Sequence, residues 1–305
     1  MKVRMSKLKT LTNDLVKPDP IHQEEYPQPR NKDLPKCFFL AGIAGARGSG
    51  KTALTIRLLK DYEDCGFTCN GKKVPQVIKL ISPTSESNPA FKKLKHLDKA
   101  DIHENYTDAL LLKLMEEIKA DRMATKKYKQ AMHLWKIFQT LLAKDKDPYF
   151  LMNKEDLALL AGMTNGFKDD PMKPAHPDGR VVHLVLDDCV GSPCFRLSRN
   201  NAFSGFTLNS RHYWTNIVLL SQRAKQIPPI IRSNLSLVAI FRTMSEKLLL
   251  EEVFPIVDAL VSEEQFLALY DVATQENKYD CLLIDTMAEK GKEFRKNLNQ
   301  VLQLV

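Results

Sequence analysis

The chain has 305 residues, 44% of them hydrophobic, and carries a formal charge of +8 with a sequence pI near 9.0. That hydrophobic share is ordinary for a globular protein with a sizeable core, in one large domain or two small ones. No stretch approaches the ~18 apolar residues of a membrane span, and Met1–Lys7 lacks the apolar centre of a secretory signal, so a soluble, intracellular, non-secreted chain is expected.

The basic balance leans towards an acidic partner, which DNA, RNA or a membrane surface would satisfy. Six cysteines are present, and the spacings Cys65–Cys69 and Cys189–Cys194 complete no zinc pattern. Reduced, mostly buried thiols in a reducing compartment are the expectation.

Residues 1–35 read as an arm, because Pro18, Pro20, Pro27, Pro29 and Pro35 each remove a backbone donor and fix φ. Leu8, Leu11 and Leu15 can line one face of a short helix before the prolines begin, and the arm is either disordered or laid across a neighbour. The domain proper then runs over 36–305. It opens on an apolar run, Cys37–Ala41, which predicts a buried strand.

Next comes Gly45-Ala46-Arg47-Gly48-Ser49-Gly50-Lys51-Thr52, a full match to the Walker A phosphate loop. Ala53, Leu54, Leu58 and Leu59 then mark one face of a helix. Strand, glycine-rich turn and helix are what phosphate binding needs. Glycines let the backbone N–H groups turn inward, and the helix N-terminus adds partial positive charge. Lys51 would reach the β- and γ-phosphates of ATP, and the Thr52 hydroxyl would ligate Mg²⁺. Gly48 to Ala53 also fits a G-x-G-x-x-A dinucleotide fingerprint, but that pattern is short and makes no use of Lys51 and Thr52.

Pro75–Ser82 predicts a second strand, and 86–178 a long, charged, mostly helical insertion with helical spacing at Leu110–Ile118 and Leu134–Leu142. Asp147-Pro148 should break the second of these helices. Val181–Leu186, Ile217–Leu220 and Leu235–Phe241 are short, nearly continuous apolar runs alternating with helices, as parallel strands covered on both faces read. Helices are expected over 245–254 and 262–274, then a last strand at Tyr279–Ile284 and a polar tail over 286–305.

Val181–Leu186 ends in Asp187-Asp188, and an apolar strand closed by an acid downstream of a Walker A loop is the Walker B pattern. Asp187 is placed to hold Mg²⁺ opposite Thr52, and Asp188 to polarise the attacking water as general base. Gln222, at the tip of a strand expected between the loop strand and the Walker B strand, is a candidate sensor of γ-phosphate and water. Its plainer reading is a solvent-facing strand end. Basic clusters at Lys92–Lys95, Lys126–Lys129 and Arg223–Lys225 read singly as solvated helix faces, or as contacts to a phosphate backbone.

Taken in order, Gly45–Thr52, Asp187-Asp188, Arg211-His212, Leu219–Gln222 and the run Ile227-Pro-Pro-Ile-Ile-Arg232-Ser-Asn234 resemble the FtsK/HerA superfamily. Within it, the likeness is to the genome-packaging ATPases of large double-stranded DNA viruses and virophages. It covers about Lys36–Arg242 and is weakest across 86–178. Many members have Glu where Asp188 stands. The resemblance implies a RecA-like P-loop α/β core with a mostly parallel sheet covered by helices on both faces, plus the helical insertion. It further implies a homo-oligomeric ring, pentamer or hexamer, that hydrolyses ATP with Mg²⁺ and drives duplex DNA, independent of sequence, into a preformed capsid. A capsid portal or vertex protein would be a partner, and the host cytoplasm, a viral factory or the virion the location. Arg211 is the implied arginine supplied in trans, with Arg232 second; Arg196, Arg199 and Arg223 are further candidates. A translocase or helicase of conjugation or repair, or a slow nucleotide-dependent switch, would share the same motifs.

Overall fold

The computed structural model describes residues 26–83, 90–189, 201–242 and 245–304. In chain order the elements begin with β1 (Gln28–Pro29), β2 (Leu40–Ala44), α1 (Lys51–Cys65), β3 (Phe67–Cys69), β4 (Lys72–Val74), β5 (Gln76–Ile81) and β6 (Ile102–His103). The insertion contributes α2 (Asp108–Leu142), α3 (Pro148–Leu151) and α4 (Lys154–Met163). Then follow β7 (Val181–Asp187), α5 (Ala202–Leu208), β8 (Thr215–Ser221), α6 (Pro229–Arg232) and β9 (Leu237–Phe241). The chain closes with α7 (Glu246–Glu252), α8 (Glu263–Thr274), β10 (Cys281–Asp285), β11 (Phe294–Lys296) and β12 (Gln300–Val301).

Among the described residues nine strands form one sheet in the order β12-β11-β10-β9-β2-β8-β7-β5-β6. The stretch from β9 to β6 is parallel, while β10, β11 and β12 pair antiparallel along one edge. The central strands are hydrophobic throughout because both faces are covered. On one face Ile56, Leu58, Leu59 and Tyr62 of α1 pack against Val181, Val185, Val218 and Leu220. On the other, Leu114 and Ile118 of α2, Phe203 and Phe206 of α5 and Phe266 of α8 meet Val182, Leu184, Leu186 and Leu219. This is the mixed α/β class, with a mostly parallel sheet between helical layers.

Several sequence expectations shift. The first core strand starts at Leu40 rather than Cys37, because Phe39 N–H is taken by the Asn216 side chain (3.1 Å) and Leu40 is the first residue in register with β8. The two helical stretches of the insertion are one 35-residue helix, since nothing between them breaks it. It stops at Leu142, short of Pro148, which instead begins α3 under an Asp147 cap. The half of α2 beyond the sheet has its own small core of Ala131, Leu134, Trp135 and Phe138 against Leu160 of α4.

The polar tail is not a tail. Phe294 is buried in the sheet's core, and the charges beside it are matched: Arg295 donates to the Asp33 carbonyl and Lys296 pairs with Asp280 at 3.1 Å. Those partners let a charged sequence form β11 and extend the sheet. The described part of the proline-rich arm likewise lies on its own chain: Gln28–Pro29 pairs with β3, Leu34 is buried, and the Pro35 carbonyl accepts from the Tyr62 hydroxyl at 2.6 Å. The possible helix at Leu8–Leu15 lies outside the described residues.

Candidate active site

At the C-terminal end of β2 the backbone turns through Gly45–Gly50 into α1, the arrangement in which a parallel sheet presents loops at one edge. Gly48 (φ 75°) and Gly50 (φ 107°) sit in left-handed backbone that a side chain would strain. A Cβ at Gly45 would lie 2.6 Å from Ser49 Oγ and 2.9 Å from Phe241 Cβ, so glycine is required there for space rather than for φ. Gly45 N–H donates to the Ser221 carbonyl at 3.2 Å, which ties the loop to the tip of β8. Ser49 Oγ is buried and has no partner among the described residues.

Lys51 closes back over this turn. Its Nζ donates to the carbonyls of Gly45 (2.7 Å) and Ala46 (3.1 Å). Burial lowers its pKa, while Asp188 and then Asp187 push the other way. The two aspartates therefore lie within electrostatic reach of Lys51, across β8, as the strand order β2-β8-β7 requires. Burial raises the pKa of Asp187, opposed by a hydrogen bond from Ser82 Oγ at 2.9 Å and by Lys51; neighbouring Asp188 raises it further. Asp188 is exposed and turns the chain in left-handed backbone (φ 54°), a conformation that aspartate tolerates better than most residues.

Gln222 lies just past β8, which the sheet order places between β2 and β7, and it is exposed. Its backbone N–H is held by Gln226 Oε1 at 3.1 Å. Arg211 is not brought to this edge. It precedes β8 and lines a depression with Phe38 and Asn234 at the opposite end of the strands, a strand length or roughly 20 Å away. Arg232, two residues before Asn234, is half-buried with its Nη1 unpartnered among the described residues. Arg196, Arg199 and Cys194 lie outside the described residues.

Sequence reasoning missed three neighbours. Ser82 follows β5 and orients Asp187; Phe241 ends β9 and packs on Gly45 and Gly50; Tyr279 reaches within 3.5 Å of a Cβ built on Gly50. The position of Ser82 at the end of an apolar run was the one available signal. Tyr279 also lines, with Gly48, Gly50, Lys51, Thr52 and Asn299, a cavity of about 780 Å³ beside the loop. That size accommodates a nucleoside.

The cradle suits an anion. A helix N-terminus, the Lys51 ammonium on two loop carbonyls and the Ser49 hydroxyl, which has no partner among the described residues, gather donors at one turn. The hard oxygens of Thr52 and Asp187 are the donor type Mg²⁺ takes, and a carboxylate whose burial disfavours its charge gains from a cation beside it.

No protein-family model matches the chain, and no curated protein sequence does. Solved structures of similar shape include the genome packaging NTPase B204 from Sulfolobus turreted icosahedral virus 2. With AMPPCP bound, B204 is 13% identical, with 89% of this chain and 100% of that one covered and a TM-score of 0.45. Its ATP-gammaS complex gives 14%, 87%, 98% and 0.42. EssC (ATPases 2 and 3) from Geobacillus thermodenitrificans is 12% identical, covering 86% of this chain and 39% of its own, at a TM-score of 0.45. These superpositions are loose, and the roles of side chains in this chain rest on their own geometry.

Proposed function

We propose that this chain is a Mg²⁺-dependent ATPase that moves duplex DNA, and that the task it serves is packaging a viral genome into a preformed capsid. The observation that carries the ATPase reading is the pairing of the Gly45–Thr52 cradle with Asp187 and Asp188 across β8. The motor reading is supported by the +8 charge and by the sequence resemblance running from Gly45 to Asn234.

In this reading the loop N–H groups, Ser49 Oγ and Lys51 bind the β- and γ-phosphates. Lys51 would exchange its two loop carbonyls for phosphate oxygens to do so. Thr52 and Asp187 hold Mg²⁺, which supplies neutralisation of phosphate charge. Asp188 accepts a proton from water as its oxygen bonds to the γ-phosphorus; the bond to the β–γ bridging oxygen breaks, giving ADP and phosphate. Gln222 orients that water. By the sequence resemblance Arg211, a strand length from its own loop, would serve a neighbour's nucleotide in a homo-oligomeric ring.

The test is ATP hydrolysis by the full chain with and without linear duplex DNA. Stimulation independent of base sequence and fading with salt is expected. Lys51→Ala should bind no ATP while unfolding at the parental temperature; parental hydrolysis by that variant would overturn the assignment.

A further inference from the structure

The insertion carries a charge pattern that ATP hydrolysis does not use. In α2 every acid falls early: Asp108, Glu116, Glu117 and Asp121. From Arg122 to Lys144 the sequence has six Lys or Arg, one His and no acid. On α1, in the first turns of α2 and on α7 the signs are mixed, with Arg57–Asp61, Lys113–Glu117 and Lys247–Glu251 each at i,i+4. A solvated face built that way gains from its pairs, whereas like charges at the same spacing repel. Lys136 on α2 and Lys144 in the turn that follows it have no carboxylate partner among the described residues.

Helical spacing puts the basic residues together. Lys129, His133, Lys136 and Thr140 fall at i, i+4, i+7 and i+11, all exposed. Ala131, Leu134, Trp135 and Phe138 form the opposite, buried face. The core beneath fixes which way the charges point. From Lys126 to Leu142 the row is roughly 24 Å long, a length over which duplex DNA carries about fourteen phosphate charges.

A second wall stands beside it. The β3–β4 hairpin turns through Asn70 and Gly71 (φ 52° and 74°) and brings Lys72 across to α2. Between them lies a groove of about 320 Å³ lined by Lys72, Tyr128, Lys129, His133 and Lys136, with Asp178 its one acid among the described residues. Asp178 is held loosely, 3.9 Å from Lys72.

We infer that this groove and the acid-free face of α2 form a docking surface for the phosphodiester backbone of duplex DNA. The inference rests on the reading of DNA as the moving partner and adds where the insertion grips it. A row of ammonium groups without base-reading side chains fits a track that must be held at any sequence.

The experiment measures anisotropy of a fluorescein-labelled 30-base-pair duplex with the full chain between 50 and 200 mM KCl. Lys72→Gln/Lys136→Gln/Lys144→Gln is compared with Lys60→Gln/Lys247→Gln/Lys290→Gln, which removes the same charge from exposed positions elsewhere. The first should lose at least tenfold in affinity at 100 mM KCl, and the slope of log K against log salt should become shallower by about two to three. The second should stay within about threefold of the parent, and DNA-free ATPase should be equal in all three. Equal losses in both triples, or parental binding by the first, would overturn the surface while leaving DNA binding in place. A parent that binds no duplex at any salt would overturn this inference and the DNA reading together, with the ATPase reading untouched. Binding of phosphatidylserine vesicles lost only in the first triple, with duplex binding retained, would reassign the face to a membrane.

Discussion

Acid should loosen this protein through one residue, His183. It sits on β7, fully buried, with the rings of Tyr62 and Phe67 at centroid distances of 5.4 and 5.7 Å. Asn216 Nδ2 lies 3.3 Å from Nδ1, and Nε2 lies 3.2 Å from Gln76 Oε1. Gln76 spends its own N–H on the Tyr62 carbonyl, and Asn216 Oδ1 accepts from Phe39 N–H. The amides cannot flip without orphaning those groups, so Nδ1 is the acceptor and has no room for a proton. Burial, aided by His96, pushes the His183 pKa down to about 3 from an ordinary 6.5. Between those values the unfolded chain binds the extra proton, so this contribution is complete above pH 6.5 and is lost as pH falls. At pH 5 the loss is about 2 kcal/mol, from 1.5 pH units at 1.36 kcal/mol each, approaching roughly 5 kcal/mol at pH 3. Urea unfolding of the parent and of His183→Gln, measured from pH 7.5 to 5, isolates the effect from other titrating groups. The parent's stability advantage should shrink by about 2 kcal/mol over that range. A difference that stays constant would mean that His183 takes a proton in the folded state and that Nδ1 is not a fixed acceptor.

Asp188→Asn should bind ATP with Mg²⁺ but hydrolyse it about 10²–10⁴-fold more slowly, whereas Asp187→Asn should lose metal-dependent binding; equal binding losses would show that both acids hold the metal. Gly45→Ala adds a methyl where Ser49 and Phe241 leave no space, so about 1–3 kcal/mol of stability and most affinity for a fluorescent ATP analogue should go. Mixing inactive Arg211→Ala with inactive Lys51→Ala subunits should restore part of the hydrolysis if Arg211 acts in trans, and a mixture that assembles yet stays inactive would point to Arg232.

Much of the sheet was legible because its strands are short apolar runs closed by recognisable residues. Gly45–Thr52 and Asp187-Asp188 mark two strand tips, and β8 lies between them, as a Gln222 placed to reach both would need. What escaped depended on partners distant in sequence. Phe294–Lys296 looks like a tail until Asp33 and Asp280 are placed beside Arg295 and Lys296. Ser82 is an ordinary strand end until Asp187 lies 2.9 Å away, and Asn216 and Gln76 are puzzling polar residues in apolar strands until His183 stands between them. Arg211 shows the reverse case. A motif can nominate an arginine, but only the fold shows that it lies at the far end of its own strand.

The two outermost strands of the nine-stranded sheet, β6 and β12, are each two residues long. Unpaired backbone on a long edge strand recruits further strands and seeds aggregation, and a two-residue edge offers almost no template. High local concentrations of this chain should therefore stay free of edge-to-edge β stacking. Any ordered assembly would be built from side-chain faces and not from a shared backbone ladder.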